Sequence, residues 1–214
     1  MIEQEKISKE QLILEAAEQE FFIKGYDGAR TTSIAQRAGV THAMLHYYYR
    51  TKEQLFERII EKYAKTIAET MLAAMGNPTM PIVERLKDGV SAHFDLVATN
   101  PLLPRFFLNE IIARPERYNL LYDKMKCIAG VLFASMQCEI DAAAERGEME
   151  RVDIRMLLMS TLSLNIFPFI IHDFAQPVMG DLMADREQFI HARCNGGELL
   201  LFLRRAPSYQ RALR

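Results

Sequence analysis

Three consecutive tyrosines, Tyr47, Tyr48 and Tyr49, stand directly before Arg50 and Lys52, and two histidines, His42 and His46, precede them at a spacing of four. Phenolic hydroxyls and cationic side chains hydrogen-bond phosphate and neutralise it, and imidazoles donate to or accept from polar edges. Neutralising a polyanion releases condensed counterions, which gives affinity that does not depend on its sequence. On a helix three successive residues point about 100° apart, so the three rings cannot share one buried face, and at least one faces outward with the cations. The spacing of His42 and His46 also suits two ligands of one metal ion. A structural zinc ion takes three or four protein ligands. Nothing near the pair in sequence supplies the others, so no metal site is expected.

Charge along the chain supports a polyanion-facing segment. From Lys24 to Lys52 the charged residues are Lys24, Arg30, Arg37, Arg50 and Lys52 against Asp27 alone, whereas residues 1–23 hold six glutamates against two lysines. The whole chain of 214 residues has a formal net charge of −2, so the positive charge is sorted locally rather than spread over the molecule. Half of the residues are hydrophobic and a quarter charged, a composition that builds a sizeable core.

The elements that must position these groups are helical. Ser8 opens a capping box with Gln11, and Ile13, Leu14, Ala17, Phe21 and Phe22 form the apolar stripe behind it. Gly25 ends that helix. A short one follows over about 31–38, stopped by Gly39, and Thr41 caps the next, which runs through Tyr48. Thr51 and Gln54 form a second capping box that starts a helix to about Ala74. Further helices are predicted over about 81–99, 102–113, 116–146, 153–173 and 185–204, punctuated by Pro81, Pro101, Pro115 and the QPVMGD turn. Strand and hairpin patterns are lacking. The fold class is therefore all-α with about nine helices. Residues 1–50 form a three-helix unit with the outline of a helix-turn-helix, and residues 51–214 form a larger helical body.

Residues 13–56, ILEAAEQEFFIKGYDGARTTSIAQRAGVTHAMLHYYYRTKEQLF, resemble the DNA-binding domain of TetR-type transcriptional regulators. The landmarks are Ala16-Ala17, Phe21, Gly25-Tyr26, Ile34-Ala35, Ala38-Gly39-Val40-Thr41, Leu45, Tyr48-Tyr49, Lys52-Glu53 and Leu55-Phe56. The resemblance implies phosphate contacts for Thr31, Tyr48 and Lys52. It implies a backbone or base contact for Tyr47, and a major-groove face made of Thr32, His42, Ala43, Met44 and His46. Tyr49 stands at a usual Phe position and is expected to point inward beside Leu45, Ile34, Ala35, Ala38 and Val40. Two departures stand out: Ala43 replaces a common glycine, and His46 replaces a common tyrosine.

The resemblance further implies a homodimer joined through about residues 153–204, two reading helices ~34 Å apart on a palindromic duplex, and a small-molecule effector held by the body. Lining candidates are Phe94, Phe106, Phe107, Met125, Phe133, Met136, Met159 and Phe167, with His93, Asn109, Glu110 and Asn165 as polar handles. Twelve methionines suit adaptable walls, so the effector is expected to be apolar or amphipathic. Pro168 inside a helix is expected to kink it. No glycine-rich phosphate loop, GxSxG elbow or HExxH occurs, so neither enzymatic activity nor a cofactor is expected. Cys127, Cys138 and Cys194 form no CxxC pair and read as reduced thiols of a cytoplasmic protein. The run MLLMSTLSLNIFPFIIH, residues 156–172, reads as a buried helix rather than a membrane span. A rival function is a helical interaction module whose basic segment docks an acidic protein partner.

Overall fold

The computed structural model describes residues 8–117 and 133–180, and no strand occurs among them. Helix α1 (Lys9–Gly28) starts where Ser8 Oγ accepts from the Gln11 N–H at 3.1 Å. The reciprocal half of the box is not made, because the Gln11 amide turns forward to Glu15 at 3.3 Å. Gly25 interrupts α1 at φ 69°, ψ 177°, a backbone region open almost only to glycine, and one more helical turn carries Tyr26 and Asp27. Helix α2 (Thr31–Arg37) ends before Gly39, at φ 66°. Helix α3 (His42–Tyr48) starts at Thr41, whose Oγ1 accepts from the Met44 N–H at 3.2 Å. Helix α4 (Lys52–Met75) starts at Thr51, which accepts from the Gln54 N–H at 3.2 Å, while the Gln54 side chain accepts from the Arg50 N–H at 3.2 Å.

The chain continues as α5 (Ile82–Thr99) and α6 (Leu103–Phe107), which widens into a π turn at Leu108–Ile112. A 3-10 turn at Pro115–Arg117 follows, then α7 over residues 133–145 and α8 (Ile154–Met179). The sequence expectation of one helix over 116–146 is therefore met only from 133 onward within the described residues, and that of 102–113 divides into an α and a π segment. The predicted helix at 185–204 lies outside the described residues. Helix α8 is longer than the predicted 153–173, running through both Pro168 and Pro177 to Met179.

Two compact units share these elements. The first holds residues 8–66 and 105–117. Its core joins Ile13, Ala17 and Phe21 of α1 to Ile34 of α2, Leu45 of α3 and Leu55, Phe56 and Ile59 of α4. Phe56 meets Phe21 edge-on at 5.3 Å and Tyr26 at 5.0 Å between ring centroids, and Phe106 lies 4.6 Å from Phe22. These geometries suit aromatic quadrupoles. Glu20 is buried in this core, with Lys24 at 2.7 Å and Arg37 at 3.8 Å. Burial alone would raise its pKa. The Lys24 hydrogen bond and charge, the Arg30 N–H and Arg37 outweigh that and hold the carboxyl below its ordinary range.

The second unit holds residues 67–104 and 133–180. Ile82 and Leu86 of α5 pack with Met136, Ile140 and Ala143 of α7 and Ile154 of α8. The buried Arg85 donates to the Met75 carbonyl at 2.7 Å and to Glu139 at 2.5 Å. Gly89 lets α5 approach Met75: a Cβ there would lie 2.5 Å from the Met75 sulfur. Helix α8 corrects the expectation of a buried helix. Only Ile154, Thr161, Asn165, Phe169 and Ala175 are buried, while Met156, Met159, Phe167, Phe174 and Val178 are exposed. By length and composition alone α8 would also suit a membrane, but its polar residues Thr161 and Asn165 are buried against protein.

Candidate nucleic-acid interface

Helices α2 and α3 form the exposed reader of the first unit. Ile34, Ala35 and Leu45 sink into the core, and the Val40 N–H donates to the Ala35 carbonyl at 3.0 Å across the turn. That anchoring fixes which side of α3 is left outside. Tyr47 is 82% exposed, Tyr48 40% and Tyr49 7%, so the tyrosine run splits as helical geometry requires. The Tyr49 hydroxyl faces Glu10 of α1 at 3.4 Å, and burial, with the nearby Glu10 charge, raises its pKa. Thr32, His42, Ala43 and His46 are exposed, and Thr31 and Met44 half-buried. All of these expected contact residues lie on α2 and α3.

Lys52 has a different environment from the one its expected phosphate role implies. Its ammonium donates to the carbonyls of Tyr26 at 2.8 Å and Ala29 at 3.2 Å, and lies 4.4 Å from the centre of the Tyr26 ring. It therefore pins the start of α4 to the end of α1. Tyr26 is held on other sides by Phe21, Phe56, the Arg117 guanidinium at 4.4 Å from its centroid and a short hydrogen bond to Glu53. Burial, then the Glu53 carboxylate, pushes its pKa up to about 12. Two other cations of the same segment, outside the contacts that the resemblance implies, are better placed for an external anion. The guanidiniums of Arg30, at the N-cap of α2, and Arg50, after α3, are exposed and have no side-chain partner among the described residues. Lys24 and Arg37, by contrast, are drawn to Glu20. Sequence shows five cations in this segment but not which are already occupied by the fold.

A polar chain crosses the reader surface. Thr31 Oγ1 lies 3.0 Å from His42 Nε2, which lies 3.2 Å from His46 Nε2, and His46 Nδ1 lies 3.1 Å from the Arg50 carbonyl oxygen. That carbonyl only accepts, so His46 Nδ1 carries a proton and donates to it.

The expected pocket residues are divided between the two units. Phe106 and Glu110 belong to the first unit. There Glu110 is buried, paired with Arg117 at 2.5 Å and set against Gly25. Phe107 packs on Phe106 at 5.9 Å, and Asn109 is exposed. In the second unit Phe133 and Met136 join the core around Ile140, Phe94 meets Phe169 at 6.0 Å, and Met159 and Phe167 face outward. Met125 lies outside the described residues. A cleft of about 410 Å³ is lined by Phe133, Gln137, Asp141, Arg151, Asp153 and Arg155 among others, and of the expected lining only Phe133 takes part.

His93 and Asn165 do meet. The Asn165 amide donates to His93 Nδ1 and to the Val90 carbonyl, both at 3.1 Å. Burial pushes the His93 pKa below its ordinary value. A depressed histidine stays neutral in the fold while the unfolded chain binds a proton, so its contribution is present above an unfolded pKa of about 6.5 and is lost as pH falls below it. His93→Gln is therefore expected to lose less stability than the parent between pH 7.5 and pH 5.5. Urea midpoints at the two pH values measure this, and parallel losses would contradict it.

An exposed helix held by the buried Ile34, Ala35 and Leu45, with hydroxyls and unpaired guanidiniums beside it, defines a helix-turn-helix reader. Residues 13–59 match the family described as bacterial regulatory proteins, tetR family. The chain therefore carries a tetR-family DNA-binding domain over these residues, and it is similar to HTH-type transcriptional regulators. It is 27% identical over 135 residues to YhgD of Bacillus subtilis strain 168, an uncharacterized HTH-type transcriptional regulator, covering 58% of this chain and 70% of that one. Among solved structures it resembles HlyIIR, a hemolysin II transcriptional regulator, with a TM-score of 0.58 and 24% identity over 86% of this chain and 96% of that one. It also resembles AibR, solved in complex with isovaleryl coenzyme A and operator DNA, with a TM-score of 0.59 and 21% identity over 76% and 86%.

Proposed function

We propose that the chain is a homodimeric, ligand-responsive transcriptional repressor of the cytoplasm that reads a palindromic operator with α3. The observation that carries the DNA half of this reading is the outward face of α2 and α3. Tyr47 and Tyr48 stand exposed there, flanked by the unpaired Arg30 and Arg50. Tyr47, Tyr48, Thr31, Arg30 and Arg50 hold phosphates, while Thr32, His42, Ala43, Met44 and His46 face the major groove. Lys52 acts by positioning α4.

The exposed apolar stripe of α8 supports dimerisation, since a contiguous apolar surface of that kind marks an interface. AibR's complex with an acyl coenzyme A supports an amphipathic small molecule as the effector. Response to it needs a route into the reader, and segment 105–117 supplies one. Glu110 abuts Gly25, Arg114 pairs with Asp27 at 2.8 Å, and Arg117 covers Tyr26 and Phe56. An effector that favours a spacing of the two readers unsuited to the operator lowers DNA affinity through its differential binding.

The test is selection of bound sequences from a random duplex pool, followed by affinities on the selected site at several salt concentrations. An enriched palindrome is expected. Arg50→Ala and Arg30→Ala each weaken binding to all sequences and reduce the logarithmic salt slope by about 0.9, one phosphate contact apiece. Lys52→Ala instead lowers thermal stability and changes the salt slope less. A pool without enrichment would overturn the reading and favour an acidic protein partner.

A further inference from the structure

We propose that His42 and His46 form a two-imidazole site for a divalent transition-metal ion on the exposed face of α3. Both rings project from the same side of the helix, one turn apart, with their centroids 4.3 Å apart and nearly perpendicular planes. Their Nε2 atoms stand 3.2 Å apart. Two nitrogen ligands of a tetrahedral ion at about 2.0–2.1 Å lie roughly 3.3–3.4 Å from one another, so an ion fits between them with little movement.

The surroundings point the same way. His46 Nδ1 donates to the Arg50 carbonyl at 3.1 Å. That leaves a lone pair on Nε2, directed at His42, in the arrangement by which a carbonyl orients an imidazole ligand. Thr31 Oγ1, 3.0 Å from His42 Nε2, is placed to hydrogen-bond a water on the ion. No third His, Cys, Asp or Glu joins the pair among the described residues. A structural zinc site needs such ligands; an exchangeable site completed by water does not. The ion would be Zn²⁺, Ni²⁺ or Cu²⁺, the divalent metals that imidazole suits.

The site stands without the DNA reading, but its consequence rests on it. An occupied site ties up both imidazoles and puts a hydrated ion where α3 would approach base edges, so metal and operator compete.

The full chain, freed of metal by chelator, is titrated with Zn²⁺ and Ni²⁺ by calorimetry, and Cu²⁺ broadening of histidine NMR signals locates the ion. One ion per chain is expected, with the His42 and His46 signals broadened first. Affinity falls at least tenfold in His42→Asn and in His46→Asn, both exposed positions whose variants keep the parental melting temperature. Affinity that persists in the double variant, for example at His172 beside Asp173, shows adventitious binding only and overturns the proposal, as does the absence of binding. In a second arm, Zn²⁺ weakens operator binding by the parent at least fivefold, and excess chelator restores it. Equal operator affinity with and without Zn²⁺ overturns the competition. A metal-free parent that binds no DNA refutes the DNA reading and leaves the first arm to decide the metal site.

Discussion

Gly25→Ala is expected to destabilise the chain by about 2–6 kcal/mol. The sum has two parts: ~1–3 kcal/mol for forcing a side chain into a sparsely populated backbone region, and ~1–3 kcal/mol for overpacking. The backbone part follows from φ 69° and ψ 177°. The packing part follows because a Cβ at Gly25 would lie 2.5 Å from Glu110 Oε1. Glu110 cannot simply swing away, since it is buried and its other oxygen receives Arg117, and moving a buried carboxylate from its partner is costly. Gly28→Ala is the control. Its backbone is not strained, and a Cβ there meets only Lys24 Cβ at 3.3 Å, so it is expected within about 1 kcal/mol of the parent. Urea unfolding of the two variants side by side decides the matter, and equal midpoints would remove Gly25 from its place as the hinge of α1. Because Tyr26 and Asp27 follow directly, Gly25→Ala should also weaken DNA binding at temperatures where the chain is still folded.

The second large effect concerns α8. Phe167→Glu with Phe174→Glu is expected to convert a dimer to a monomer and lower operator affinity at least 100-fold. Both rings are exposed in the single chain, at 57% and 84%, so the variant loses little packing within that chain and should fold. Met156, Met159, Phe167, Phe174 and Val178 recur at spacings of three, four and seven or eight along one side, and the matching helix of a second copy meets such a stripe in a bundle interface. Burying it on both copies contributes roughly 25 cal/mol per Å² of apolar surface, whereas two carboxylates per helix repel across it. A monomer holds one reader, so half of the contacts to a palindrome are lost and mass action governs the rest. Sedimentation equilibrium and a binding isotherm on the selected operator measure the two effects. A variant that sediments as the parent does would place the interface elsewhere.

How far the sequence carried the structure depended on the range of the interaction. Ser8, Thr41 and Thr51 announced their helices because a cap is satisfied within three residues. The fates of Tyr47, Tyr48 and Tyr49 followed from a rotation of about 100° per residue. The return halves of the capping boxes were not legible, since Gln11 and Gln54 each had another partner within reach. The length of α8 was obscured by Pro168 and Pro177, residues that normally end helices. The occupation of Lys52 was invisible for a different reason. Its acceptors lie 26 and 23 residues earlier, and no local pattern separates a lysine that caps a distant helix end from one that waits for phosphate. The neighbours of Phe106 and Glu110 were hidden in the same way: both sit in helices with the right composition for the body, yet they meet Phe22 and Gly25.

The pairing of Arg114 with Asp27 spans 87 positions, and this bears on how the chain reaches its native state. The reader helices, their turn and the first half of α4 are local and can form early. The unit they belong to is closed only when a strand of chain some ninety residues downstream returns to it, and such closure is entropically slow. During synthesis from the N-terminus, the Tyr26 and Phe56 rings therefore lack their Arg117 cover until that residue has left the ribosome. A nascent chain should become protease-resistant around Tyr26 in two steps, and the second should wait for residues 110–117.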